Sequence, residues 1–258
     1  MNYEQIKFVV DDKGIATVTL AHPPVNALNR RSREEITHVF DAISDREDVR
    51  VAIFTGEGKV FCAGADIKER LDLVQEPGDY LRHNRQARET FLSLMDCSKP
   101  IIAAVNGPAI GAGLALMLAS DIMLVSDTAF IVMPEIDVGL SGGQRLLIET
   151  FGRSRSRLMY YTGRRVPASE LYRLGVVEQV LPVDQLVPAA RAIAEEIAEK
   201  SPHAIRSAKK TLSLVENLPY RVAYPYEQSI TAELSKLDDT REAQRAFLEK
   251  RKPKFTGR

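Results

Sequence analysis

Cysteine is scarce in this sequence: Cys62 and Cys97 are the only two among 258 residues. Two thiols give so long a chain no disulfide framework, and a reducing compartment is the expectation. An excess of charge is also lacking, since Lys+Arg and Asp+Glu stand at 35 each. A duplex-DNA binder needs a cationic surplus to neutralise phosphates, so the balance argues against a nucleic-acid partner and against an electrostatically held membrane protein. Long apolar runs are missing as well. The stretch from Ala109 to Ala119 is broken by glycines and is far short of the roughly 20 residues that a bilayer span takes. The opening Met1-Asn2-Tyr3-Glu4-Gln5 has no basic region, no following apolar core and an early acid. Neither a signal nor a transit peptide is expected, and the expected location is cytoplasmic. The histidines, His22, His38, His83 and His203, are scattered without ligand spacing, so no metal site is expected. No Gly-x-Ser-x-Gly element occurs, Gly56-Glu57-Gly58-Lys59 is not a P-loop, and Gly111-x-Gly113 has Leu116 in place of a third glycine. Nucleophile-elbow hydrolases and dinucleotide binders are therefore disfavoured.

What is present is an ordinary globular composition, 45% hydrophobic and 27% charged, in alternating strand-like and helix-like segments. Ile6 to Val10 and Ile15 to Leu20 read as strands around a turn at Asp11-Asp12-Lys13-Gly14. Ser32 and Glu35 suggest a capping box for a helix carrying Ile36, Val39, Phe40 and Ile43 on one face. Buried strands are expected at Val51 to Phe54, Ile101 to Val105 and Ile122 to Val125, with helices at Tyr80 to Met95 and Gly111 to Leu118. This order gives an α/β fold with crossover connections. After about residue 185 only helices are expected: Leu186 to Ile197, Ala204 to Val215, Tyr226 to Leu237 and Arg241 to Lys250, broken at Pro202 and Pro219. The chain divides into a β/α core over 1–200 and a helical region over 201–258. The latter has little core of its own, so it should pack on something, such as a sister subunit.

Three segments carry candidate chemistry. Phe61-Cys62-Ala63-Gly64-Ala65-Asp66-Ile67-Lys68-Glu69 and Asn106-Gly107-Pro108-Ala109-Ile110-Gly111-Ala112-Gly113-Leu114 each lie between a strand and a helix. Small residues there let a ligand approach the backbone, and the first helical N–H groups suit an anion or a developing oxyanion. Close helix–strand packing is the alternative. The third segment, Met133-Pro134-Glu135-Ile136-Asp137-Val138-Gly139-Leu140, sets Glu135 among apolar residues. Burial there would raise a carboxylate's pKa and make it a usable base. A capping or ion-paired acid is the alternative. Cys62 lies in the first loop but reads as packing.

Taken in order, these segments resemble the enoyl-CoA hydratase/isomerase (crotonase) family almost end to end. Matching besides the two loops are His22-Pro23-Pro24-Val25-Asn26-Ala27-Leu28-Asn29, Lys99 to Gly107, Asp121-Ile122, Pro134-Glu135, Thr162-Gly163-Arg164 and Phe247-Leu248-Glu249-Lys250-Arg251. The resemblance implies a crotonase-like spiral of ββα units with a helical C-terminal trimerisation region, in a homotrimer or homohexamer. It implies an acyl-CoA substrate and no metal or redox cofactor. The oxyanion-hole amides it implies are those of Ala65 and Ala112, and the acid/base Glu135. Coenzyme A would lie along Val25, Ala27, Ala63, Ala65, Asp66 and Ile67, with Lys250 reaching a neighbouring subunit's ligand.

The sequence also departs from the family. Hydratases of the family carry two glutamates; one matches Glu135, and the other falls at Ala115. The second loop reads Gly-Ala-Gly where many members have three glycines, and the segment Val138 to Arg145 is a few residues shorter than usual. Hydration divides its proton and water handling between two carboxylates, whereas a 1,3 proton shift needs one base. Hydration and isomerisation both stay open, as do thioester hydrolysis and decarboxylation, which use the same oxyanion hole. Asp137 is a second acid only if the segment after Glu135 is a regular strand. A member without catalysis, acting as a binding protein, is the rival that Ala115 favours and Glu135 opposes; the neutral charge disfavours RNA as its ligand.

Overall fold

Asp11 sets the first turn: its Oδ1 accepts from Lys13 N (2.9 Å) and Ile15 N (3.0 Å), an Asx turn that reverses the chain. Strands β1 (Ile6–Val10) and β2 (Ile15–Leu20) pair antiparallel across it. The computed structural model describes residues 2–71 and 75–257; Met1 and Arg258, which bound the two expected regions, lie outside the described residues. Helix α1 (Arg30–Asp45) follows, then β3 (Val51–Gly56), α2 (Ile67–Leu71), α3 (Asp79–Met95) and β4 (Ile101–Val105). Next come β5 (Ala109–Ile110), α4 (Ala112–Leu118), β6 (Ile122–Ser126), β7 (Phe130–Val132) and a 3-10 turn (Glu135–Val138). Helix α5 (Gln144–Thr162), β8 (Val166–Pro167), α6 (Ala168–Arg173) and β9 (Gln179–Leu181) complete the mixed region. Four helices end the chain: α7 (Val183–Ala198), α8 (Pro202–Val215), α9 (Tyr220–Leu234) and α10 (Asp238–Leu248).

The main sheet has the order β1-β2-β3-β4-β6-β9, parallel from β2 onward. The chain leaves this sheet and returns through a second layer. Leu28 bridges Ala65, Cys62 bridges Ala109, and β5, β7 and β8 form a three-stranded sheet. Each turn of the spiral thus gives one long strand to the first layer, a short one to the second, and then a helix. Side-chain alternation divides the core between the faces of the main sheet. Ala52 and Phe54 of β3 face one cluster, where Phe40, Phe54 and Phe61 meet edge to face at 5.3 and 5.4 Å. Val51 and Ile53 face the other and pack under Leu186, Ala190 and Ala194 of α7.

The capping box expected at Ser32 and Glu35 does not form. Asn29 is the N-cap instead, its Oδ1 accepting from Ser32 N at 2.9 Å. Glu35 is fully buried and accepts from Glu4 N and Gln5 N (2.9 Å each) and Arg31 Nε (2.6 Å), tying the amino-terminal segment to α1. The helix expected from Tyr226 begins at Tyr220, because Pro219 opens it and Pro225 is carried in its interior. Strands β5, β7, β8 and β9 and helices α5 and α6 were not expected. The strands are two or three residues long, too short to show a period, and α5 is kinked at Gly152.

Helix α8 is fastened to the core by one buried cation. Lys209 Nζ donates to Asp121 Oδ2 (2.8 Å), Lys99 O (3.0 Å) and Leu94 O (3.4 Å), and Asp121 Oδ2 also accepts from Ile101 N (2.7 Å). Lys209→Ala should lower stability by about 2 kcal/mol, because it leaves two buried carbonyls and a partly buried carboxylate short of a donor. Urea denaturation of Lys209→Ala, Asp121→Ala and the double variant checks this. Additive losses in that cycle would show that the pair does not couple.

Candidate active site

The first loop is held by backbone pairing. Ala63 N donates to Val25 O (3.0 Å), Leu28 N to Gly64 O (2.7 Å) and Asp66 N to Leu28 O (3.0 Å). In a parallel bridge the residue opposite Leu28 is bonded through its two neighbours, so its own N–H points the other way. That residue is Ala65, which lines a cavity of about 240 Å³. Asn26, buried and at φ 54°, locks the arrangement. Its Nδ2 donates to Glu57 O (3.0 Å), Val60 O (2.8 Å) and Phe61 O (3.2 Å), and its Oδ1 accepts from His22 N (3.0 Å). Val25 and Ile67 are exposed beside this loop, while Ala27, Ala63 and Asp66 are half-buried. Asp66 Oδ1 accepts from Lys68 N (2.9 Å) and Glu69 N (3.4 Å), which gives it the work of capping α2.

The second loop docks on the first. Cys62 N donates to Pro108 O (3.2 Å) and Ile110 N to Cys62 O (2.9 Å). Helix α4 then starts with Ala112, and its first internal bond runs from Ala115 N to Gly111 O (3.0 Å). The amides of Ala112, Gly113 and Leu114 therefore precede the helical ladder, and Ala112 lines the same cavity. Two of the three small residues here have no alternative. Gly111 has φ +53°, and a Cβ on it would lie 2.6 Å from Glu135 Oε1; a Cβ on Gly113 would lie 2.3 Å from Cys62 O. The middle position carries a methyl group, as Ala112 does.

Glu135 begins the 3-10 turn after Pro134, is half-buried, and sets its carboxylate against Gly111. The segment is therefore not the regular strand on which a role for Asp137 as a second acid depended. Asp137 is exposed, and its Oδ2 lies 2.7 Å from the position of a Cβ on Gly163. It does not line the cavity. Ala115, 5% exposed, does. Among the described residues that line the cavity, Glu135 is the only carboxylate. Cys62 is fully buried, and burial pushes its thiol up to about 12, so it stays protonated and serves as packing.

Lys250 is exposed just beyond α10 at φ 51° and does not line this cavity, whose lining runs no further along the chain than Leu146. Two residues that line it escape a reading of the sequence. Arg33 reads only as part of an amphipathic helix, and His83 as one of four scattered histidines. Both are buried, with Arg33 Nη2 at 3.4 Å from His83 Nδ1. The available signal was the spacing of His83, Ala87 and Thr90, which repeats on one face of α3. No group of three His, Cys, Asp or Glu side chains among the described residues is placed to hold a metal ion. No helix among them is long and apolar enough to cross a membrane.

Comparison with known proteins gives the family. The family model described as enoyl-CoA hydratase/isomerase matches residues 11–258. A probable enoyl-CoA hydratase of Mycobacterium bovis is 34% identical over 262 residues, covering 100% of both chains. A (7aS)-7a-methyl-1,5-dioxo-2,3,5,6,7,7a-hexahydro-1H-indene-carboxyl-CoA hydrolase of Rhodococcus jostii is 34% identical over 249 residues, 96% of each chain. The crystal structure of an enoyl-CoA hydratase from Bacillus anthracis superposes with a TM-score of 0.93 at 32% identity, covering 99% of this chain and 100% of that one. The chain, an acyl-CoA enzyme with the crotonase fold, belongs to the enoyl-CoA hydratase/isomerase family.

Proposed function

We propose that this enzyme moves a double bond in an enoyl-CoA, with Glu135 as its single acid/base and the N–H groups of Ala65 and Ala112 holding the thioester oxygen. The observation that carries this reading is that Ala65, Ala112 and Glu135 line one cavity together with Ala115, the position that the resemblance gives to the hydratases' other glutamate. Glu135 takes a proton from C2 of a 3-enoyl thioester. The electron pair spreads onto the thioester oxygen, and the same carboxyl returns the proton at C4, leaving the double bond between C2 and C3. No water is consumed and no electrons are gained or lost, so the step calls for neither metal nor redox cofactor. Charge builds on the oxygen only as the reaction proceeds, so fixed amides lower the barrier more than they tighten binding. Each such donor is typically worth about a hundred- to a thousandfold in rate. For coenzyme A we assign the groove along Val25, Ala27, Ala63, Asp66 and Ile67.

A second reading is thioester hydrolysis on the same oxyanion hole. The Rhodococcus relative named as a CoA hydrolase favours it. Parallel assays of 3-enoyl-CoA isomerisation, crotonyl-CoA hydration and acyl-CoA hydrolysis separate the readings; isomerisation should be the fastest, and its absence beside either of the others would reject our choice.

Glu135→Gln keeps the shape and removes the base. Turnover should drop by roughly two to four orders of magnitude with CoA-ester affinity little changed. Wild-type turnover in that variant would remove Glu135 from the mechanism. Ala115→Glu should create or raise crotonyl-CoA hydration, since position 115 lies about one helical turn beyond Ala112 and faces the cavity. A folded Ala115→Glu protein hydrating no faster than wild type or Ala115→Gln would show that more than one carboxylate separates this site from a hydratase.

We further propose a trimer or hexamer. Buried residues are sparse in α8, α9 and α10, whereas Phe247 and Leu248 are 83% and 81% exposed next to Lys250. Apolar surface of this kind marks an interface, and Lys250 would then reach a neighbour's CoA. Phe247→Asp with Leu248→Asp should lower the mass seen by light scattering. A monomeric wild-type chain at micromolar concentration would end the proposal.

A further inference from the structure

Helix α5 is two helices joined at a bend. Gly152, at φ 69° and ψ 176°, breaks it, and a positive φ with an extended ψ is a conformation that only glycine adopts readily. In a straight helix Gln144 and Tyr160 would lie about 24 Å apart along the axis. The bend brings them into contact instead. Gln144 Nε2 donates to the Tyr160 hydroxyl at 3.0 Å, and the backbone N–H of Gly142 donates to the same oxygen, also at 3.0 Å. Ser156 fastens the two halves, its Oγ donating to Leu147 O across the bend (2.7 Å).

What that hydroxyl holds is a wall of the cavity. Leu140, Ser141, Gly142 and Gly143 line it together with Glu135 and Ala115. The wall has little else to keep it in place. A Cβ on Gly139 or on Gly142 would meet nothing within 4 Å, and only Gly143 lies against another segment, at the Met133 methyl group. Among the described residues the other hydrogen bonds of this stretch are local. Gly139 N donates to Ile136 O, Leu140 N to Glu135 O, Gln144 Nε2 to Ser141 Oγ and Leu147 N to Gly143 O. A segment with so few buried contacts opens at low free energy unless something ties it down. Tyr160 is suited to that task. Its side chain is buried in the main core, so its hydroxyl is a fixed point.

We propose that Tyr160 is a positioning residue for selection of the acyl group: its hydroxyl, carried back by the bend at Gly152, fixes the Ser141 to Gly143 wall of the cavity. The inference rests on the acyl-CoA reading of that cavity. Tyr160 does not line the cavity itself, so it acts through Gly142. A wall held in one place clashes with acyl groups that do not match it, whereas a wall that gives accommodates them alike. The groove assigned to coenzyme A, along Val25 to Ile67, does not include this wall. Loss of the hydroxyl therefore changes recognition of the acyl group and spares that of the carrier.

The test is calorimetric binding of coenzyme A and of saturated acyl-CoA esters from butyryl to dodecanoyl, which separates recognition from reaction. Wild type should prefer part of the series. Tyr160→Phe keeps the ring in the core and removes only the hydroxyl. In that variant the affinity ratio of the best to the worst ester should fall about fivefold, the worth of roughly one hydrogen bond, with coenzyme A bound as before. Tyr161→Phe is the control, since that side chain is exposed on the same helix; it should keep the wild-type profile. Should Tyr160→Phe not fold, Gln144→Leu removes the other donor to the same hydroxyl and should shift the profile in the same direction. A wild-type ester profile in the folded variant, or equal weakening of coenzyme A and every ester, would overturn the positioning role. So would a wild-type protein without preference among the esters. Failure of every ester to bind the wild type would bring down the acyl-CoA reading and this inference together.

Discussion

Cys62 exchanges two backbone hydrogen bonds with the strand that leads into α4, one to Pro108 O and one from Ile110 N. The rest of the site depends on that contact. It brings the loop after β3 and the loop after β4, separated by α2, α3 and β4 in sequence, to one place. The cost is steric: the chains approach so closely that a methyl group at position 113 would collide with Cys62 O. Because the two candidate oxyanion donors sit three residues beyond Cys62 and two beyond Ile110, their separation is fixed by backbone, not by side-chain rotamers. Such preorganisation lets amides stabilise charge without reorganising as it develops. Asn26 and the Val25 to Leu28 pairing brace the first loop from its other side.

The long parallel strands and amphipathic helices were legible because they satisfy a simple period. Val51 to Phe54, Ile101 to Val105 and the Ile36, Val39, Phe40, Ile43 face each report burial directly. The second layer of the spiral left no such trace. Its strands pair over two residues at a time with neighbours distant in sequence, so their residues carry no local preference to read. Glu35 shows a different failure. Its spacing from Ser32 suits a capping box, yet Asn29 takes the N-cap and Glu35 anchors the chain at Glu4 and Gln5. Long-range burial overrode a local signal.

The site was legible where chemistry demands backbone and obscure where it demands side chains from separate helices. Glycine-rich junctions announce close approach in the sequence itself. Nothing local marks the 3-10 turn that Glu135 begins, and Asp137 within it does not line the cavity. Arg33 and His83 were hidden for another reason. One sits on α1 and the other on α3, and only the packing of those helices makes them neighbours.

This division has a chemical consequence. In the proposed mechanism the part of the site that would stabilise the enolate is backbone, and substitution changes it only by breaking the fold. In that reading the groups that would decide the fate of the enolate are side chains on α4 and the Glu135 turn. Ala115 is where the proposed reading has such a scaffold change reaction: a single side chain on α4 can carry or omit a carboxylate while Gly111 and Gly113 preserve the loop geometry. Arg33 differs, because it meets both backbone and cavity. Its Nη1 bond to Leu28 O supports the strand segment opposite Ala65, while its other face meets the cavity. A change at Arg33 therefore loads the backbone segment that faces Ala65.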